Sequence, residues 1–289
     1  MNVKNMKIWT ALITPFKENG EVDYQSLKKI CKNQEKANNG ILVLGSTGES
    51  LNLDPKEKIE IFTFIKDLNL KVPLMAGVGG INLNETLSWL DFIEGLHYDA
   101  YLMVTPLYSK PGDKGQLHWF KTLMDKVSKP VMLYNIPGRT GVSLSKVALK
   151  TLKNHKNFWA IKEASGDLEE FKEYVKAIQP HPVYSGDDAL LPTYQVLGVK
   201  GLVSVASNAW PSKTNSYVEK TLNNRLTHKT EWKNWSNALF MVSNPIPIKR
   251  LLFERGDISS PFCRPPLSHK EIKDSEYLMK VNQSVMNWS

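Results

Sequence analysis

A chain of 289 residues with 42% hydrophobic and 23% charged residues has the balance of an ordinary globular protein, which excludes the high-charge, low-hydrophobicity composition of disordered chains. Its 37 Lys and Arg against 29 Asp and Glu leave a net charge of +8. The lysines are scattered along the chain, which argues against a specific nucleic-acid binder and suits a protein that attracts small anions.

The N-terminal stretch "MNVKNMKIWTALITPF" is interrupted by threonines and ended by Pro15. It matches neither a signal peptide nor a membrane span, and no later apolar run reaches the roughly 20 residues that a spanning helix needs. The two cysteines, Cys31 and Cys263, are far apart and form no CxxC unit, so no disulfide framework is expected and a cytoplasmic location is.

The first strand-like run is "IWTALIT" at 8–14. After Asp23, a helix-capping residue, Tyr24, Leu27, Ile30, Cys31 and Gln34 recur at helical spacing. "GILVLG" at 40–45 is the second run, followed by a helix that opens with Asp54 as N-cap and Pro55 at its first position. Further runs are "VPLMAGV" at 72–78, "AYLMVT" at 100–105, "PVMLYN" at 130–135, "FWAIKEA" at 158–164, "PVYSGD" at 182–187 and "GLVSVAS" at 201–207.

Continuously apolar strands separated by helical stretches are the pattern of a parallel sheet covered on its outer face. Eight such units predict an α/β fold, a (β/α)8 TIM barrel. The rival, a doubly wound sheet, usually carries a glycine fingerprint after its first strand, and "ALITPFKENG" has none. Beyond residue 208 only helical periods occur. The expected organisation is a barrel over 1–222 with a C-terminal helical extension over 223–289 packed on it.

In such a barrel the chemistry lies at the carboxyl ends of the strands. These ends are rich in hydroxyls and carry one interior lysine and one arginine. The six histidines form no HxH or HExxH pair, so neither a metal nor another cofactor is expected. Lys162 lies inside an apolar run, where an ammonium is costly to bury. It can pair with Glu163, or serve as a desolvated amine that attacks a ketone to form a Schiff base. Adjacent strand residues face opposite ways, which argues against the pair.

Tyr134, at the end of the fifth run, is the natural acid/base partner, with Ser46 or Thr47 and Tyr108 as candidates for a hydroxyl chain. Gly45 and Gly48 permit tight turns that expose amides and hydroxyls to a carboxylate. Arg139, after a Pro-Gly turn, fits a second carboxylate or is a solvated surface arginine.

The motifs "TALITPF", "GSTGES", "AGVGG", "TPLY", "YNIPGRTG", "IKEASGD", "YSGDD", "GLVSVASN", "NPIPIK" and "RPPL" span nearly the whole chain. Together they resemble the pyruvate-dependent class I aldolases, the family that includes the dihydrodipicolinate synthases and the N-acetylneuraminate lyases. The resemblance implies a metal-independent lyase with Lys162 as the Schiff-base lysine, Tyr134 as the proton shuttle and Ser46 as the relay hydroxyl. It implies that Thr47 binds the pyruvate carboxylate, that Gly186 and Val203 line the pocket, and that Tyr108 reaches into a neighbouring subunit's site. A homotetramer built as a dimer of dimers follows from the same resemblance.

Arg139 matches the arginine that receives the carboxylate of aspartate semialdehyde, which implies the lysine and diaminopimelate branch of the family. Ser46 stands where those synthases mostly carry threonine, and "GSTGE" is the commoner spelling in lyases of N-acetylneuraminate or keto-deoxy sugar acids. Such a lyase is the first alternative, and a noncatalytic anion-binding barrel the second. In members inhibited by lysine, the effector site uses an asparagine, a histidine and a tyrosine that align with Ile81, Lys58 and Leu107, while Glu85 and Ser50 match. Weak or absent inhibition by lysine is expected; loss of activity in low-millimolar lysine would contradict it.

Overall fold

In the computed structural model, which describes residues 3–288, strands and helices alternate as the apolar runs predict. The order begins β1 (Ile8–Ala11), α1 (Tyr24–Lys36), β2 (Gly40–Val43), α2 (Pro55–Asp67), β3 (Leu74–Val78), α3 (Leu83–Gly95) and β4 (Ala100–Val104). It continues with α4 (Asp113–Lys126), β5 (Val131–Asn135), the single turn α5 (Pro137–Thr140), α6 (Lys146–Leu152), β6 (Phe158–Glu163), α7 (Leu168–Ile178) and β7 (Val183–Ser185). The remainder is α8 (Leu191–Gln195), β8 (Leu202–Ser204), α9 (Pro211–Leu222), α10 (Lys229–Ala238), α11 (Ile246–Glu254) and α12 (Glu276–Asn287). The strands form a closed barrel in chain order, β1 to β8. Among the described residues, no helix is long and apolar enough to cross a membrane.

Local signals explain the helix starts. The Asp23 carboxylate accepts from Ser26 N at 3.0 Å, and α1 buries Leu27, Ile30, Cys31 and Gln34 of the predicted stripe, while Tyr24, its first member, is only half-buried. Pro55 opens α2, and Glu57 reaches back to accept from Asp54 N at 3.0 Å, as in a capping box.

The chain divides into two compact units, one of residues 3–7 with Pro73–Val203, the other of Ile8–Val72 with residues 204–288. In the first, every residue of β5 and β6 is buried, as a parallel strand between helices and a filled interior requires. The pairing of β5 with β6 slips once: Val131 stands opposite Phe158, but Met132 stands opposite Ala160. Past this bulge Tyr134 is level with Lys162 and Asn135 with Glu163. In the second unit the C-terminal helices close over an aromatic cluster. Trp232 stacks on Tyr217 at 4.2 Å between ring centroids and meets Trp288 edge-on at 5.0 Å.

Two strands, β1 and β8, end three residues before their apolar runs do. Leu12 N still donates to Leu42 O at 3.0 Å, but Ile13 N donates to Asn208 Oδ1 at 3.1 Å, and Asn208 Nδ2 donates to Ala11 O at 2.8 Å. The asparagine side chain supplies the partners a strand would have offered, and residues 206–208 coil into a 3-10 turn.

Candidate active site

Lys162 lies near the end of β6 with 5% of its surface exposed. Its Nζ sits 4.0 Å from the centroid of the Tyr134 ring, which the register with β5 places on the same face. Burial pushes the amine down to about 7; the Asp188 carboxylate opposes that shift and the Arg139 guanidinium adds to it. Near neutrality a large share of the side chain is therefore the neutral nucleophile.

The neighbours of this pair are held by the backbone. Gly186 N donates to Glu163 O at 2.6 Å, and a Cβ on Gly186 would lie 2.8 Å from Lys162 Cε and 2.7 Å from Ala164 Cβ. Only glycine lets the chain pass this close to the lysine stem just after β7. The Tyr134 carbonyl accepts from Thr105 N at 3.1 Å and Thr105 Oγ1 at 3.0 Å. Val203 is buried in β8.

Glu163 points away from Lys162, as strand alternation requires, yet it too is fully buried. It accepts from Asn135 Nδ2 and from Ser165 N, each at 2.5 Å.

Arg139 is exposed on α5, whose last turn closes at Gly141 with φ +74°. A Cβ on Gly141 would meet Lys110 Cε at 2.7 Å, so the Lys110 stem crosses this turn and brings a second cation to it. Tyr108, in the loop after β4, is 90% exposed and held at φ +63°. It stands apart from the buried cluster around Lys162, in a conformation that bulky residues rarely adopt.

In the other unit, Ser46 and Thr47 open a 3-10 turn directly after β2. Gly48 N donates to Gly45 O at 3.0 Å and Glu49 N to Ser46 O at 3.1 Å. Thr47 is buried, and its Oγ1 accepts from Asn244 Nδ2 at 2.9 Å, which leaves the Thr47 O–H as a donor. Glu49, at φ +54°, forms an ion pair with Lys249 in which both side chains have no exposed surface.

Lys249 Nζ also donates to Phe262 O at 3.0 Å and lies 4.1 Å from the Phe16 ring centroid, while Arg264 N donates to Glu49 Oε2 at 2.9 Å. Burial pushes the Lys249 ammonium down, and the Glu49 carboxylate opposes that shift. The Arg264 guanidinium forks onto Glu57 at 2.6 and 2.5 Å.

The structure thus brings Lys162, Tyr134 and Gly186 together in one unit, and sets Ser46 and Thr47 on one turn of the other. Reasoning from the chain alone assigned no role to Asn135, Asp188, Lys110, Glu49, Asn244 or Lys249. The lysine in "NPIPIK", which enters an apolar helical run, carried the same signal of a costly buried charge as Lys162. Among the described residues, no three His, Cys, Asp or Glu side chains group as metal ligands would.

Residues 4–284 match the dihydrodipicolinate synthetase family. The chain is 44% identical over 286 residues to the 4-hydroxy-tetrahydrodipicolinate synthase of Francisella philomiragia, covering 98% of this chain and 97% of that one. It is 43% identical over 287 residues to the synthase of the same name from Wolbachia pipientis wMel, covering 99% and 98%. Its fold is similar to the chloride-inhibited dihydrodipicolinate synthase of Acinetobacter baumannii complexed with pyruvate, with a TM-score of 0.91, 31% identity and coverage of 98% and 99%. With an eight-stranded barrel, a buried lysine at the end of its sixth strand and this likeness over nearly its full length, the chain belongs to the dihydrodipicolinate synthetase family.

Proposed function

We propose that the chain is a lyase of the class I aldolase type that condenses pyruvate with aspartate 4-semialdehyde, the 4-hydroxy-tetrahydrodipicolinate synthase reaction of diaminopimelate and lysine biosynthesis. The observation that carries this reading is the Lys162 amine, buried against the Tyr134 ring and shifted down to about 7.

The neutral Nζ adds to the pyruvate ketone carbon, and loss of water leaves an iminium. Tyr134, having given its proton to the departing hydroxyl, takes one from the adjacent methyl carbon; the resulting enamine forms the new carbon–carbon bond to the aldehyde, whose oxygen takes up that proton, and attack by the product's own amine on the iminium carbon releases Lys162. Ser46 relays protons with Tyr134, Thr47 binds the pyruvate carboxylate, and Gly186 and Val203 shape the pocket. Tyr108 completes the relay in a neighbouring subunit of a homotetramer arranged as a dimer of dimers. Its 90% exposure within its own chain supports that reading. The enzyme works in the cytoplasm.

Arg139, with Lys110 across the same turn, receives the carboxylate of the semialdehyde. A sugar-acid lyase, the reading favoured by Ser46, would need hydroxyl partners there instead. Arg139→Ala is expected to raise KM for the semialdehyde by roughly ten- to a hundredfold, the loss of one charge-assisted contact, while pyruvate still forms its imine. Steady-state kinetics with aspartate semialdehyde and with N-acetylmannosamine as acceptors test this. Preference for the sugar, or an unchanged KM in Arg139→Ala, would refute the synthase assignment.

A further inference from the structure

We infer that Asn135 and Glu163 are positioning residues that lock the Tyr134–Lys162 pair in register, through a hydrogen-bonded clamp on the opposite face of β5 and β6. The inference rests on Lys162 and Tyr134 carrying the chemistry proposed above.

Each clamp residue directly follows one of that pair in its strand, and the two stand level with each other just as Tyr134 stands level with Lys162. Asn135 Oδ1 accepts from Leu144 N at 2.7 Å, which fixes the orientation of the amide and turns Nδ2 toward Glu163 Oε2 at 2.5 Å. Glu163 Oε1 takes Ser165 N at 2.5 Å. The chain of bonds therefore joins three segments: the end of β6 that carries Lys162, the end of β5 that carries Tyr134, and the stretch after α5, the turn that carries Arg139.

Asn135 and Glu163 are both 0% exposed, and their mutual bond and the bond to Leu144 N are buried, so an unmatched donor or acceptor between them has no water to turn to. The bulge that brings Tyr134 level with Lys162 lies two or more residues back along both strands, and the clamp is the side-chain contact that holds the register at their ends.

The clamp can be inverted without losing a bond. With Asn135→Asp and Glu163→Gln together, Leu144 N and the new glutamine amide donate to the two aspartate oxygens, and the glutamine carbonyl takes Ser165 N. Either change alone breaks it. Asn135→Asp sets two carboxylates against each other, and Glu163→Gln leaves a single acceptor for two donors.

The test measures kcat, KM for both substrates, thermal stability and the borohydride-trapped pyruvate adduct for wild type, both single variants and the double variant. Each single variant is expected to lose about tenfold or more in kcat, with KM for pyruvate within about threefold and Lys162 still labelled, because the amine survives and its alignment with the phenol does not. The double variant is expected to return to within about threefold of wild-type kcat.

Should the single variants fail to fold, the double variant still decides. A folded double variant more than about tenfold below wild type would overturn the inference, as would single variants that keep wild-type kcat. Absence of the adduct in wild type would overturn the chemistry assigned to Lys162, and this inference with it.

Discussion

Imine formation between pyruvate and Lys162 is expected to quicken as pH rises to about 7 and to level off above it, because only the neutral amine attacks and burial moves its midpoint down from 10.5. With a midpoint near 7, about a tenth of the amine is neutral at pH 6 and about nine tenths at pH 8, against roughly 0.3% at pH 8 for an unshifted lysine. That is a difference of about three-hundredfold in active nucleophile, supplied by desolvation.

The charges around the amine have signs that can be checked. Asp188→Asn removes a carboxylate that stabilises the ammonium and should move the midpoint lower, whereas Arg139→Ala removes a like charge and should move it higher. Single-turnover adduct formation across pH reports the midpoint. A rate that still rises tenfold per pH unit above pH 8 would show an ordinary lysine and remove the reason for placing Lys162 in the core.

The second large effect is on stability. Lys249→Ala leaves the Glu49 carboxylate, with no exposed surface, facing a vacated site between Phe16 and the Arg264 backbone. Stranding one member of a buried pair costs roughly 3–5 kcal/mol, a large part of the 5–15 kcal/mol that holds a typical domain. Replacing both partners together, Glu49→Gln with Lys249→Met, should cost markedly less than the single change, since no buried charge is then left without its counterion.

Denaturant unfolding of the two variants measures the difference. A Lys249→Ala chain within about 1 kcal/mol of wild type would contradict the account. The pair also bears on the proposed site, because Glu49 ends the turn that begins at Ser46, and Lys249 reaches it from α11 while Asn244 reaches Thr47 from just before that helix. The C-terminal helices are thus tied to the hydroxyl turn by one ion pair and one amide.

The eight strands and the first two helices were legible because their signals are local. A strand-like run of six or seven residues, Asp23 before a helical stripe, and Asp54-Pro55 before another each depend on neighbours in the chain. Lys162 was legible for a related reason, as a charge out of place in an apolar strand. The roles given to Tyr134, Ser46, Thr47, Tyr108 and Arg139 leaned on the family likeness, since a hydroxyl at a strand end is ordinarily just a satisfied hydroxyl.

What escaped is what depends on distant residues. Nothing in "FWAIKEA" marks which residue is the extra one in the bulge, yet without it Tyr134 would stand opposite Ile161 instead of Lys162. Glu163 was weighed only as a partner for Lys162, because its actual partner, Asn135, lies on another strand. Glu49 and Lys249 are separated by 200 residues, and each sat inside a recognised motif without any local sign of the other. The strand runs also overshot at Leu12 and after Ser204, where one asparagine side chain takes over from the ladder.

Pyruvate is expected to bond covalently to one nitrogen, Nζ of Lys162. Peptide mass spectrometry after borohydride reduction in the presence of pyruvate tests it most directly. The account predicts a gain equal to pyruvic acid less one oxygen atom, confined to the peptide that contains Lys162 and absent from Lys162→Ala. No pyruvate-dependent gain in wild type, or a gain that persists in Lys162→Ala, would contradict it.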